Sequence, residues 1–247
     1  MRRPFTVLVL ATLACTGLAC ASRTVVESPL VSTTSATTST ASRSAESSVA
    51  MNAAVTVRAH GCAPRDERGA GSMVEGGYVL TAAHVVAGAS SISVRPANSI
   101  TDPIAAQLMA IDPVNDLALL RVPGVSLTSL APSTARTNDR GVAVVFRNDA
   151  PVAVLFAITQ PVIVNILDIY QLNKIQRPGY LVDIRIAAGD SGAVLVGPDN
   201  RALGVLYAQS RAADNRAFAT NMSGLTALVK SAKTVDQAVG INTGRCP

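Results

Sequence analysis

Gly189-Asp190-Ser191-Gly192 is the stretch of this chain best suited to nucleophilic chemistry. A serine hydroxyl that attacks a carbonyl must be held out by its backbone. N–H groups must also stand beside it to receive the developing oxyanion. Glycines flanking an Asp-Ser pair permit such a turn, because glycine adopts positive φ and lets a substrate approach closely. The same four residues would equally make an ordinary turn, so the reading depends on partners elsewhere.

The first partner is a base. The chain has two histidines, His60 and His84. His84 lies in Thr81-Ala-Ala-His84, just after the short apolar run Tyr78-Val-Leu80, where small neighbours leave its imidazole open to a cleft. A histidine held by backbone groups in a core or on a surface is the bland alternative. His60 has no comparable setting and receives no role. The second partner is an acid to orient the base. Asp116 directly precedes the apolar run Leu117-Ala-Leu-Leu120, at the start of a buried strand. Its carboxylate would accept the Nδ1–H of His84, fix the tautomer and stabilise the imidazolium as it forms. Asp112 is the fallback, and Asp102 is a weaker candidate.

These side chains need a rigid frame. From about residue 53 the chain reads as short β-type runs broken by turns. The runs are 54–59, 78–80, 91–94, 105–111 and 117–122, then 142–146, 152–159, 162–170, 179–186, 193–196, 202–207 and 216–220. So many short strands predict an all-β protein of sandwiches or barrels. The turn-rich stretch 123–140 divides it into two modules. At the end, Leu225, Leu228, Val229 and Ala232 fall at i, i+3, i+4, i+7, which predicts one amphipathic helix, with Asn221 or Ser223 as its N-cap.

The 247 residues are 49% hydrophobic and 15% charged, enough to bury a sizeable core. With 3% aromatics and no Trp, that core must be aliphatic. The net charge of +5 is scattered, with no run of cations longer than two, and this speaks against a nucleic-acid partner. Arg2-Arg3 followed by the apolar run 4–19 reads as an export signal, with Ala19-Cys20-Ala21 as a cleavage site. The competing reading is a lipoprotein signal with Cys20 or Cys15 lipidated and the chain attached to a membrane. Neither cysteine has the usual Leu three residues before it. Cleavage would leave Cys62 and Cys246, an even pair that suggests one disulfide in an exported protein. It would close a loop of about 185 residues, for which chain entropy gives an upper figure of about 5 kcal/mol. Residues 22–50, rich in Ser, Thr and Ala, read as a disordered tether.

The order His84, Asp116, Ser191 resembles the chymotrypsin-like serine proteases. Thr81-Ala-Ala-His84, Asp116-Leu-Ala-Leu-Leu120 and Gly189-Asp-Ser-Gly192 carry the likeness. The intervals of 32 residues (84 to 116) and 75 residues (116 to 191) are similar to those of HtrA-type bacterial proteases. Cys62, Ala202-Leu-Gly-Val-Leu-Tyr-Ala208 and Thr243-Gly-Arg-Cys246 resemble the periplasmic acid-resistance serine protease family of mycobacteria and other actinobacteria. This chain departs from that family in lacking the membrane helices before the protease domain. It also has Gly192-Ala193-Val194 where the family usually has Gly-Gly-Pro.

The resemblance implies two six-stranded antiparallel β-barrels of the chymotrypsin fold followed by a C-terminal helix. The corresponding segments are a signal at 1–21, a tether at 22–50, barrels at 51–130 and 131–220, and a helix with a disulfide-bonded tail at 221–247. His84, Asp116 and Ser191 are then the triad of an exported serine endopeptidase, monomeric and acting on proteins or peptides in the cell envelope or outside the cell. The Gly189 and Ser191 amides form its oxyanion hole. Arg185, Ile186, Ala187, Ala188, Tyr207, Ala208 and Gln209 border its substrate pocket. Cys62 and Cys246 are bridged, and neither a cofactor nor a metal is implied. The alternative is a non-catalytic protease-like module that binds peptides or a protein, which Ala193 mildly favours.

Overall fold

The computed structural model describes residues 34–62 and 66–247. The export signal, the lipidation candidates and the first part of the expected tether lie outside the described residues. Strands β1 (Ala54–His60), β2 (Glu67–Val74), β3 (Tyr78–Thr81), β4 (Ser91–Pro96), β5 (Ile104–Asp112) and β6 (Leu117–Arg121) close a barrel in the order β1-β2-β3-β6-β5-β4. A second barrel is closed in the order β10-β11-β12-β9-β8-β7. Its strands are β7 (Arg140–Arg147), β8 (Ala150–Leu167), β9 (Lys174–Asp183), β10 (Val194–Val196), β11 (Ala202–Gln209) and β12 (Arg216–Asn221). Closure leaves neither sheet with a free edge. The segment between the barrels touches both, through bridges from Leu130 to Val74 and from Pro132 to Ala202.

The buried residues are aliphatic, as the composition requires. Val55, Val57, Val79 and Leu120 fill the first barrel. Val145, Phe156, Ile158 and Leu206 fill the second. A further cluster, with Leu80, Met109, Leu119, Leu130, Val144 and Val205, welds the two together. Helix α3 (Leu225–Lys233) joins that cluster through Leu225, Leu228 and Ala232. Its N-cap position is Gly224, without a side-chain cap, rather than Asn221 or Ser223. The Asn221 carboxamide oxygen is already engaged by the Ser223 N–H and hydroxyl.

Strand β2 was not among the expected runs, and two further regions depart from the sequence expectation. Residues 34–53 form a helix, α1, where a tether was expected over 22–50. Its last turn buries Ala50 and Ala53 in the inter-barrel cluster. Alanine is the best helix former, and side chains this small fit against β7 without an apolar stripe to announce them. The other departure is β8, one strand of 18 residues where two were expected on either side of Gln160-Pro161. A bulge between Ile158 and Gln160 absorbs the irregularity.

Candidate active site

Asp116 organises the first half of the site. The turn joining β5 to β6 is shaped by Asp112, whose Oδ1 accepts the Val114 and Asn115 N–H groups at 3.0 Å each. The fallback acid is therefore a turn-former rather than a partner of histidine. The turn ends on Asp116 in the left-handed region, φ 57°, which Asp tolerates better than most residues. Asp116 is 2% exposed. It faces α2 (Ala83–Val86), the single helical turn that carries His84. Three donors of α2 converge on this one residue. Ala83 N–H bonds to its carbonyl at 3.1 Å, His84 N–H to Oδ1 at 2.9 Å, and His84 Nδ1 lies 2.8 Å from Oδ2. A helix leaves its first N–H groups unpaired, and here Asp116 satisfies two of them while gripping the imidazole. His60, by contrast, is exposed and pairs with Asp66. Asp102 is also exposed, on the loop between β4 and β5.

A further side chain was not expected here. Arg177 of β9 is 3% exposed, and its Nη1 is 3.5 Å from Asp116 Oδ2. Its Nε donates to the Val114 carbonyl at 2.8 Å, and its guanidinium lies 4.7 Å from the Tyr207 ring centroid. A cation from the second barrel thus backs the acid of the first. The His84 pKa reflects all of these groups. Burial opposes its charged form, but the field of the Asp116 carboxylate and the hydrogen bond to it prevail. The pKa is raised above its ordinary value, with Arg177 pulling it down and Glu67 adding a little.

Ser191 belongs to the second barrel, on the turn before β10. Gly189 and Gly192 both hold positive φ, 93° and 89°. Asp190 N–H donates to the Ala187 carbonyl, and Ala193 N–H to the Asp190 carbonyl, each at 3.1 Å. Among the described residues the Gly189 and Ser191 amides donate to no other group. The turn is pressed onto the first barrel. The Ser191 carbonyl accepts Ala70 N–H at 2.8 Å, and a Cβ on Gly192 would stand 3.1 Å from the Ala82 nitrogen. The Ser191 turn therefore packs, through Gly192, against Ala82, two residues before His84, while among the described residues Ser191 Oγ makes no hydrogen bond to the imidazole. Ala193, 1% exposed, belongs to the second-barrel core cluster. Its methyl is absorbed by packing rather than offered to a cleft.

A second unforeseen arginine braces this turn. The Asp190 carboxylate, fully buried, is held by both terminal nitrogens of Arg147, with Nη2 to Oδ2 at 2.6 Å. Oδ2 also accepts Ala187 N–H at 2.7 Å. Arg147 ends β7, and the hairpin beyond it turns through Asn148 and Asp149, both at positive φ. That hairpin is tied to the first barrel by Arg58, 2.6 Å from the Asp149 carboxylate, and by Arg95, 3.1 Å from its carbonyl. Arg58 is also the chief reason the Asp149 pKa is lowered. Nothing in the sequence flagged Arg147 or Arg177, because an isolated arginine in a strand reads as a solvated face.

The expected substrate pocket is divided. Ala187 and Ala188 line one cavity with Gly189, Arg68 and Arg147. Tyr207 and Ala208 line another with His84, Asp116 and Arg177. Arg185, Ile186 and Gln209 line neither of these two. Arg185 and Gln209 are exposed, and Ile186 is a core residue. Cys62 and Cys246 are joined, with Cα atoms 5.5 Å apart across 184 residues of sequence. The tail leading to Cys246 also holds the segment after α2. Gly88 N–H bonds to the Thr243 carbonyl and Thr243 Oγ1 to the Ala89 carbonyl, at 2.9 and 2.7 Å.

Comparison with known proteins agrees with this architecture. The Rv3671c protease of M. tuberculosis in its active form superposes with a TM-score of 0.73 at 22% identity, over 81% of this chain and 88% of that one. The serine endoprotease of Yersinia pestis gives 0.62 at 21% identity, over 77% and 66%. The HtrA-type protease AlgW with a tripeptide gives 0.62 at 23% identity, over 76% and 62%. These likenesses establish the fold. No curated protein matches the chain. The family model of the trypsin-like peptidase domain matches residues 69–205, more than half of the chain and spanning His84, Asp116 and Ser191, so the chain belongs to the trypsin-like peptidase family.

Proposed function

We propose that this chain is a serine endopeptidase of the cell envelope or exterior, with Ser191 as nucleophile, His84 as general base and Asp116 as orienting acid. The observation that carries this reading is the double grip of Asp116 on the backbone and ring of His84, on a segment packed against the Ser191 turn. With Nδ1–H donating to Asp116, Nε2 is left as the acceptor. It takes the Ser191 proton as Oγ attacks a peptide carbonyl. The oxyanion is received by the Gly189 and Ser191 amides, and the imidazolium then protonates the leaving amine. Water repeats the cycle on the acyl-enzyme. Peptide substrates are in keeping with the tripeptide held by AlgW. A disulfide suits an oxidising compartment, and no described helix is long and apolar enough to cross a membrane. A fluorophosphonate probe tests the reading: wild type should be labelled and Ser191→Ala should not. An unlabelled wild type would remove the peptidase and leave a binding module.

The pH profile is a second expectation. Only neutral His84 accepts the serine proton, and its pKa is raised. The acid limb of kcat/KM should therefore have its midpoint above ~6.5, the ordinary histidine value. Arg177 opposes the imidazolium, so Arg177→Met should carry that limb further up in pH. An unmoved limb in the variant would show that Arg177 exerts no field on His84.

A further inference from the structure

The cavity beside the Ser191 turn has a composition that the triad does not explain. It holds about 260 Å³ and is lined by Gly69, Gly189, Arg58, Arg68, Arg147 and Asp149, among others. Three guanidinium groups line it, and a fourth, that of Arg95, reaches the Asp149 carbonyl from outside the lining. Two carboxylates answer them. Asp190 is fully buried and taken up by Arg147. Asp149 is taken up by Arg58 at 2.6 Å, which leaves Arg68 at 3.7 Å with the weaker share. The Arg68 side chain is 57% exposed, free to reach a charge brought into the cavity. The walls thus carry an excess of positive charge directly beside a proposed oxyanion donor.

The position of the cavity along a substrate follows from the rest of the site. Tyr207 and Ala208 of β11, beside which the acyl part of a substrate would add as a strand, line the other cavity with His84. The two cavities share no residue. A chain crossing Ser191 from the β11 side passes Gly189 and Gly69 with its leaving part. We propose that this cavity is a subsite for an acidic side chain at the first or second position after the scissile bond, with Arg68 as its principal partner. The inference rests on the peptidase reading and gives it a substrate class: peptides acidic just beyond the cut.

The test begins with fluorophosphonate labelling of the full chain, which shows whether the serine is active. A separate, unlabelled portion of the same preparation is then given a peptide library amidated at its C-termini, so that no free terminal carboxylate competes for the site. Cut positions are read by mass spectrometry. Asp and Glu should be enriched about fivefold over Lys and Arg in the first two positions after the cut, the scale of one partly screened charge pair. Arg68→Glu should invert the preference. In wild type the enrichment should shrink as salt is raised, an arm that needs no variant to fold. A preparation that labels in one portion and cuts in the other without acidic enrichment overturns the subsite. So does enrichment that survives both Arg68→Glu and high salt. A protein that neither labels nor cuts overturns the peptidase reading instead.

Discussion

Asp116→Asn should lower kcat by about 10⁴-fold, the loss expected when the base is held in the wrong tautomer. Asp116 now accepts two N–H groups of His84, one from the backbone and one from the ring. An amide keeps only one acceptor. If its oxygen stays on the backbone N–H, its NH₂ faces Nδ1 and drives the proton to Nε2, the atom that must accept from Ser191. If it flips, α2 loses a backbone partner. Arg177 Nη1 at 3.5 Å adds a third donor to the conflict. Steady-state cleavage of one peptide by wild type and variant, at matched folded fraction, measures the effect. A loss below about tenfold would mean that Asp116 only supports the helix.

Arg147→Ala should cost about 10²-fold in kcat with little change in KM. The mechanism is indirect. Arg147 touches no reacting atom but neutralises Asp190, whose buried carboxylate also holds the Ala187 amide. Asp190 directly precedes Ser191, so its side chain fixes the turn whose amides are the proposed oxyanion donors. Losing such a donor costs about 10²- to 10³-fold. Stability should fall as well, by about 3 kcal/mol. That is the low end for a broken buried pair, because the Arg147 side chain is 39% exposed. Arg147→Lys restores the charge without the planar fork and should recover part of both losses. A variant with a lowered melting temperature and wild-type kcat would reduce Arg147 to a structural brace.

The parts of this molecule that were legible in the sequence are those whose signal is local. Leu117–Leu120 and Ala202–Tyr207 read as strands because buried β-branched and aliphatic runs look alike everywhere. The triad candidates read clearly because each sits in a short run of small or apolar neighbours. Strand β2 did not, and the reason is packing. A Cβ on Gly69 would lie 2.8 Å from the Ser191 carbonyl oxygen, and one on Gly71 would lie 2.9 Å from that of Leu80. The strand must be bare where it meets the nucleophile turn, so the alternation that would have announced it is absent. Arg147 and Arg177 were illegible for another reason. Their partners, Asp190 and Asp116, stand 43 and 61 residues away. Only barrel closure decides which strand faces which.

The link between Cys62 and Cys246 has a bearing on the order of assembly. During synthesis the ribosome delivers His84 and its acid while most of the sequence is still unmade. The clasp behind the His84 segment needs a residue that follows Cys62 by 184 positions. A nascent chain therefore carries His84 and Asp116 before it has Ser191, and acquires Ser191 before the fastening. The two halves of the candidate site are thus made well before the link that fastens the first of them.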